Sequence, residues 1–490
     1  MSKKTKTKHA EPPRRSFLQR MFEPVDIAST VYFRLGFGAI MIWEVWRAYD
    51  LGWVEKYWAH GKFHFTYFGF DWVSPLPGDG MYWHLIVLGI LAFFVMVGFF
   101  YRISAALFFV GFTYTFLLEQ ARYLNHLYFV CLVSFLMIFI PAHRAFSVDA
   151  WRRKSLGSDT IPAWGLWLLR AQMGFVYFFG GIAKINGDWL RGEPLREWLA
   201  GRSDFPIIGQ LFTEVWMVYI FAYGGLLLDL FVAPLMLWRK TRLTAFCFAL
   251  GFHLTNSRLF GIGIFPWFSI AATAIFFEPD WPRKRLQFFR LARPAPVSLN
   301  SKKKKKAESE AEEGGLTFRQ RVTVTCLAVY VALQIFIPLR HLLYPGNVSW
   351  TEEGHNFAWH MKLRDKDAKA RFYLTDSVQE KPWEVDATDY LERRQIVKMA
   401  SRPDMIHQFS LFLAEEYRKK GHEKVEVRVN VRASLNGRKD QLLIDPTVDL
   451  AAQPRTLWPP ADWILPLREP LQPRTFKREK IAENLDVDEP

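Results

Sequence analysis

The 490 residues carry 63 Lys and Arg against 48 Asp and Glu, a formal charge of +15, yet only 23% of the chain is charged, 50% is hydrophobic and 17% is aromatic. With 44 Phe and 20 Trp the chain departs from ordinary soluble composition, which excludes collagen-like, coiled-coil and disordered classes and makes a single soluble domain a poor fit. Nucleic acid is disfavoured as the reason for the charge, because the basic clusters flank apolar runs and no DNA- or RNA-binding motif accompanies them.

In chain order, residues 1–20 are basic (Lys3, Lys4, Lys6, Lys8, Arg14, Arg15, Arg20) without an apolar stretch. No cleavable signal peptide is expected, and the first span would serve as the targeting signal. Runs of about 20 apolar residues suit the hydrocarbon core. They occur near 27–48, 83–100, 103–118, 125–141, 163–183, 213–237, 242–256, 262–278 and 321–339. Nine spans are predicted, with eight or ten as alternatives. If the N-terminus is cytoplasmic, then Arg102, Trp151–Lys154, Trp238–Arg242 and 281–320 all fall inside, including Lys302–Lys306. Five basic segments in the correct alternation satisfy the positive-inside rule.

Residues 284–320 read as a linker, since a lysine run followed by Glu-rich sequence cannot bury a core. An odd span count sends the remainder outside. There, 357–364 and 369–375 are predicted to be paired strands, and 386–420 a polar helical stretch. Val425, Val427, Val429 and Val431 alternate before Asn436-Gly437, a hairpin signal leading to Gln441–Ile444. The expected fold is therefore a polytopic α-helical membrane domain followed by an extracytoplasmic α+β, β-rich domain. Its predicted divisions are a basic N-terminus (1–24), a transmembrane catalytic domain of about eight spans (25–283), the linker (284–320), a last transmembrane helix (321–339), the extracytoplasmic domain (340–470) and a flexible tail (471–490).

Three polar groups converge on the outer ends of the spans: Asn125-His126 with Tyr128, Gly180-Gly181 with Lys184, and His253 with Asn256. An ammonium at a helix centre costs roughly 2.5–3.5 kcal/mol. Lys184 therefore either snorkels to the interface or sits desolvated, with a lowered pKa that suits a general base. His126, His253, Asn125 and Asn256 could each tie helices together. Taken jointly, at one depth on one side, they suit a flat hydrophobic ligand with polar oxygens, a quinone. His143, His355, His360, His407 and His422 show no zinc-like spacing, and no metal is expected. The three cysteines, Cys131, Cys247 and Cys326, all lie in apolar runs, so no disulfide framework is expected.

The chain resembles vitamin K-dependent gamma-glutamyl carboxylase, with an HTTM-type membrane domain, from about residue 22 to 470. The resemblance rests on Asn125-His126, Pro141-Ala142 with Val148-Asp149, Val176–Phe178 through Lys184 and Asp188-Trp189, and Gly224–Leu230. It continues through Phe252-His253 with Asn256-Ser257, Leu259-Phe260 and Ile262-Gly263, then Phe277 with Trp281–Arg283, and Ile444–Pro446 with Val448-Asp449. It implies a coupled reaction. A lysine, here Lys184, deprotonates reduced vitamin K (phylloquinol or menaquinol), which reacts with O2 and ends as the 2,3-epoxide. The base generated on the way removes a gamma proton from a peptide glutamate, and the carbanion adds CO2. His126 would assist the oxygenated species, and Asn125, His253, Asn256 and Tyr128 would line the cofactor pocket. The implied partners are a glutamate-bearing peptide or protein, quinone and membrane lipid, with no nucleic acid. The economy of the loops suggests a bacterial relative in the inner membrane, its active site and C-terminal domain extracytoplasmic. The alternatives are a quinol-oxidising or epoxidising membrane enzyme without carboxylation, and a non-enzymatic HTTM protein whose polar residues only join helices.

Overall fold

The computed structural model describes residues 16–59, 61–288, 315–376 and 381–471. Helices of eight residues or more are numbered in chain order. They begin with α1 (Ala28–Asp50), α2 (Gly80–Val97), α3 (Tyr101–Leu117), α4 (Asn125–Phe139), α5 (Ala163–Ala183) and α6 (Val215–Leu237). After them come α7 (Arg242–Phe260), α8 (Phe265–Thr273), α9 (Trp281–Phe288), α10 (Phe318–Leu339), α11 (Arg393–Ala400) and α12 (Pro403–Lys419). A helix thus stands at each predicted span. Among the described residues, four segments, Gly80–Val97, Ala163–Ala183, Val215–Leu237 and Phe318–Leu343, are long and apolar enough to cross a membrane. The other predicted spans are short (α3, α4, α8) or carry charge (α1, α7), so nine crossings do not follow from length and composition alone.

The charge inside α1 has a structural explanation. Arg34 is fully buried, but its guanidinium donates to the carbonyls of Met96, Ala142, Ala145 and Phe146. Four carbonyl acceptors replace the water the side chain gave up. Arg170 does the same with the carbonyls of Ile275 and Phe277.

One end of the helical bundle gathers β1 (Pro24–Asp26), which pairs antiparallel with β2 (Thr160–Pro162), and Arg283, which bridges Asp26 and Asp159. Arg242 meets Glu278, which lies five residues before Arg283. The predicted inner loops therefore share an end. The linker's centre, residues 289–314, and the ends 1–15 and 472–490 lie outside the described residues.

The C-terminal part builds a sheet in the order β4-β3-β5-β6 from β3 (Lys366–Thr375), β4 (Trp383–Val385), β5 (Glu426–Leu435) and β6 (Gln441–Leu442). β3 and β5 are in register from Lys366↔Leu435 to Thr375↔Glu426. Period-two alternation sends Val427, Val429, Val431, Ala433 and Leu435 inward against Met405, Phe409 and Leu413 of α12. Asn436 and Gly437 both take positive φ, 51° and 73°, as a tight hairpin turn requires. The polar stretch 386–420 resolves into α11 and α12, broken where Pro403 opens the second helix.

One prediction fails. Residues 357–364 form no strand, and β3 pairs with β4 and β5 instead. Phe357, Trp359, Met361 and Leu363 alternate with smaller or polar residues and so imitate a strand. In the fold Phe357, Trp359 and Lys362 adopt φ of 66°, 59° and 49°, which turns the chain repeatedly. Left-handed backbone costs a non-glycine residue roughly 1–2 kcal/mol, and burial offsets it here. Trp359 is 1% exposed, and the Phe357 ring packs on Tyr67, Phe116, Tyr123 and Tyr128. This irregular segment lies over the bundle end opposite Arg283, where Thr66, Gln120 and Asp188 also bond the C-terminal domain through Gln408, Asp404 and Arg438.

Candidate active site

Lys184 caps the C-terminus of α5. Its amine does not reach for solvent. At 5% residue exposure it donates to Asp229 Oδ2 at 2.6 Å and to the Gly180 carbonyl at 3.1 Å. It also stands 5.3 Å over the Trp189 ring. The partner comes from the middle of α6. Asp229 is the only charged residue of that helix, about 21 Å from its start at 1.5 Å per residue. Glycine makes the approach possible. A Cβ on Gly181 would fall 2.8 Å from Leu230 Cγ and 2.9 Å from its backbone nitrogen, so α5 and α6 could not close with any larger residue there.

Around this pair lie two further groups. His253 is 1% exposed. Its Nε2 shares a 2.7 Å hydrogen bond with the Tyr177 hydroxyl, which also meets Thr273. Its Nδ1 is buried with no partner. The Phe265 ring stands between two imidazoles, 6.1 Å from His253 and 5.8 Å from His126. Asn256 follows His253 by three residues on α7 and is half-buried.

The irregular segment supplies the roof. Asn125 receives a hydrogen bond from Tyr123 and donates to the His360 carbonyl at 3.0 Å. Tyr128 packs against Phe357 and Trp359. Met361 Cε lies 3.0 Å from where a Gly180 Cβ would stand, so the roof touches the turn that holds the lysine. Asn125 and Tyr128 therefore contact the roof directly, Lys184 meets it through the approach of Met361 to Gly180, and His126 is joined to His253 only through the Phe265 ring.

A flat aromatic ligand has partners here. A Cβ on Gly225 would meet Phe252, Trp189 and Lys184 Cε at 3.8–4.0 Å, ordinary van der Waals contact, so the space the glycine leaves between two aromatic side chains beside the amine stem is the size of one methyl group. The unpartnered His253 Nδ1 needs a hydrogen-bonding atom that a phenol or carbonyl oxygen could supply. The residues fit a quinol in chemistry. A cavity of about 40 Å³ lies elsewhere, among Trp53, Trp58, Phe112, Phe116, Arg122 and Leu127. It borders the helix of His126 but takes in neither Lys184 nor His253, and its size suits water and not a ring system.

Asp229 was missed as a site residue in the sequence. The signal was present, since a lone carboxylate within a 23-residue apolar helix is by default a functional-site hypothesis. The roof was missed for a different reason, because its alternating pattern reads as a strand.

Comparison with known families gives two matches. Residues 319–470 match the lumenal domain of vitamin K-dependent gamma-carboxylase, and no solved structure matches the chain. Residues 22–281, more than half of the chain, match the HTTM domain, and with both matches in this order the protein belongs to the HTTM family and is of the gamma-carboxylase type.

Proposed function

We propose that this protein is a vitamin K-dependent gamma-glutamyl carboxylase with Lys184 as its base. The family matches support a carboxylase-like activity, and the apolar helices with the carboxylase-type domain support a membrane protein with an extracytoplasmic part. The finer reading adds nine crossings, the domain divisions given above, a cytoplasmic N-terminus and an active site on the extracytoplasmic side of a bacterial inner membrane. The gathering of Asp26, Asp159 and Arg283 at one bundle end, opposite the roof, supports that orientation.

The observation that carries the reading is the enclosed Lys184–Asp229 pair beneath a segment of the C-terminal domain. Holding one proton between them, amine and carboxylate are neutral overall, which is the form burial favours. Taking a second proton from a ligand hydroxyl makes the pair cationic beside the negative charge left behind, so charge is created in compensated form. His253 and His126, with Phe265 between them, would orient the ligand ring, and Asn256 and Asn125 would contact its oxygens. Tyr128 would hold the roof. Reduced vitamin K, when bound, supplies through O2 a base strength that no side chain has, enough to remove a glutamate gamma proton before CO2 adds. The chain's own share is position, a proton acceptor, and exclusion of water by Trp359, Phe357 and Met361.

Purified protein given reduced vitamin K, labelled bicarbonate and a glutamate peptide is expected to fix label and form epoxide, and Lys184→Ala to abolish both. Activity retained in that variant overturns the assignment. Epoxide without fixed carbon would favour a quinol-oxidising enzyme.

A further inference from the structure

We propose that His360 and His341 form a proton-exit path from Lys184 to the extracytoplasmic solvent. The inference rests on the reading of Lys184 as base. The reaction's own balance demands such a path. Two hydrogens of the quinol and one from the glutamate gamma carbon enter. Water, formed from one oxygen atom of O2, retains two, and the new carboxylate is ionised. One proton per turnover must therefore leave a site that excludes water.

His360 is placed for that task. It is 7% exposed, and neither ring nitrogen has a hydrogen-bond partner. An unmet buried polar group carries a penalty of about 1–3 kcal/mol, so an imidazole with two of them is costly unless water or a proton passes there. Its backbone is pinned to Asn125, and the adjoining Met361 rests on the turn that binds the lysine amine. Four ionisable groups act on its ring: His341, His355, Arg364 and Lys184. Burial first, then His341, Arg364 and Lys184, push its pKa down to about 3. It therefore passes a proton on and does not store one.

The onward step distinguishes two neighbours. His355, 5.2 Å away between ring centroids, contacts the Arg364 guanidinium through Nε2. That nitrogen must accept, so it cannot take a proton without repelling the arginine. His341, at 4.8 Å, has Nδ1 2.8 Å from the Pro338 carbonyl. A carbonyl only accepts, which fixes the proton on Nδ1 and leaves Nε2 basic. His341 is also partly exposed. The path runs Lys184, His360, His341, solvent, with His355 as a fixed support.

The test is rapid-quench epoxide formation by the full-length protein in detergent, with reduced vitamin K and a glutamate peptide. In His360→Gln the first turnover is expected within threefold of the unsubstituted protein, and the steady-state rate at least tenfold lower, partly restored by added imidazole. His341→Gln is expected to show the same pattern, more weakly, and His355→Gln no burst. An unchanged steady state in both His360→Gln and His341→Gln overturns the path, as does a first turnover slowed as much as the steady state. A second readout needs no turnover. Hydrogen–deuterium exchange at the His360 C2 position, at pH 5, should quicken severalfold in Lys184→Met, because losing the neighbouring positive charge raises the imidazolium fraction. No change there refutes contact between the two groups. If unsubstituted protein forms no epoxide, the reading of Lys184 as base has failed and the path falls with it; epoxide formed at an unchanged rate by both histidine variants refutes the path alone.

Discussion

Removing one member of the Lys184–Asp229 pair is the perturbation whose size follows most directly from the structure. The charged atoms are 2.6 Å apart and both side chains are nearly enclosed, at 7% and 6% exposure. At an effective dielectric of about 20 the gross attraction is roughly 6 kcal/mol. Desolvation of both ions offsets much of it. A single substitution leaves the other charge buried and alone, so Asp229→Leu and Lys184→Met should each destabilise by about 3–5 kcal/mol. The double variant exchanges the pair for apolar side chains of similar volume and should recover to within about 1 kcal/mol of the unsubstituted protein. Denaturant titration in detergent, read by tryptophan fluorescence, gives all four stabilities and hence the coupling. Simple additivity of the two losses would falsify the claim that the two groups compensate each other. A loss below 1 kcal/mol in Asp229→Leu would mean that Lys184 finds another partner or is already neutral.

Other predictions concern the helix contact and the extracytoplasmic side. Gly181→Ala should destabilise by about 1–3 kcal/mol, since its Cβ meets Leu230 backbone. Gly180→Ala should cost less, because the nearest atom its Cβ meets is the flexible end of Met361 at 3.0 Å, with the Asp229 carboxylate next at 3.3 Å and no backbone atom of α6 as near; equal losses in thermal unfolding would contradict the packing argument. Asp188 is bound bidentately by Arg438 and by Asn436, with oxygens 2.7 Å from the donors. Burial raises the pKa of its carboxyl, but those hydrogen bonds outweigh it and hold the carboxyl below the usual range. The contribution is thus present above the ordinary aspartate pKa of about 3.9 and lost as pH falls through the lower folded value. Limited proteolysis should show the C-terminal domain of Asp188→Asn more easily cleaved at pH 7, and no difference would argue that other contacts suffice. Lys366 is lowered to about 7 by burial, with Glu352 opposing and Arg364 and Arg402 reinforcing. Its folded state prefers the neutral amine, so stability should climb between pH 7 and about 10 by up to about 1.4 kcal/mol per unit. Lys366→Met should remove that slope, and an unaltered slope would mean that Lys366 stays charged.

The sequence by itself determined the local features of this protein. Apolar runs long enough to cover hydrocarbon specify helices, as at Ala163–Ala183 and Val215–Leu237, because backbone polar groups without water must be satisfied within one segment. The valine alternation and Asn436-Gly437 specify β5 and its turn for equally local reasons. It also selected Lys184, His126 and His253 as unusual residues in apolar surroundings. What it did not carry was which groups meet. Asp229 lies 45 positions from Lys184, and only the antiparallel packing of α5 on α6, permitted at Gly181, decides that one neutralises the other. Phe357–Leu363 repeats with a strand's period, yet its aromatic rings find a better partner in the bundle end than in β3. Their burial there outweighs the backbone strain, and His360 enters the site as a result. Tertiary packing made that choice, because the energy of burying a side chain depends on what it is buried against, and no local pattern records that.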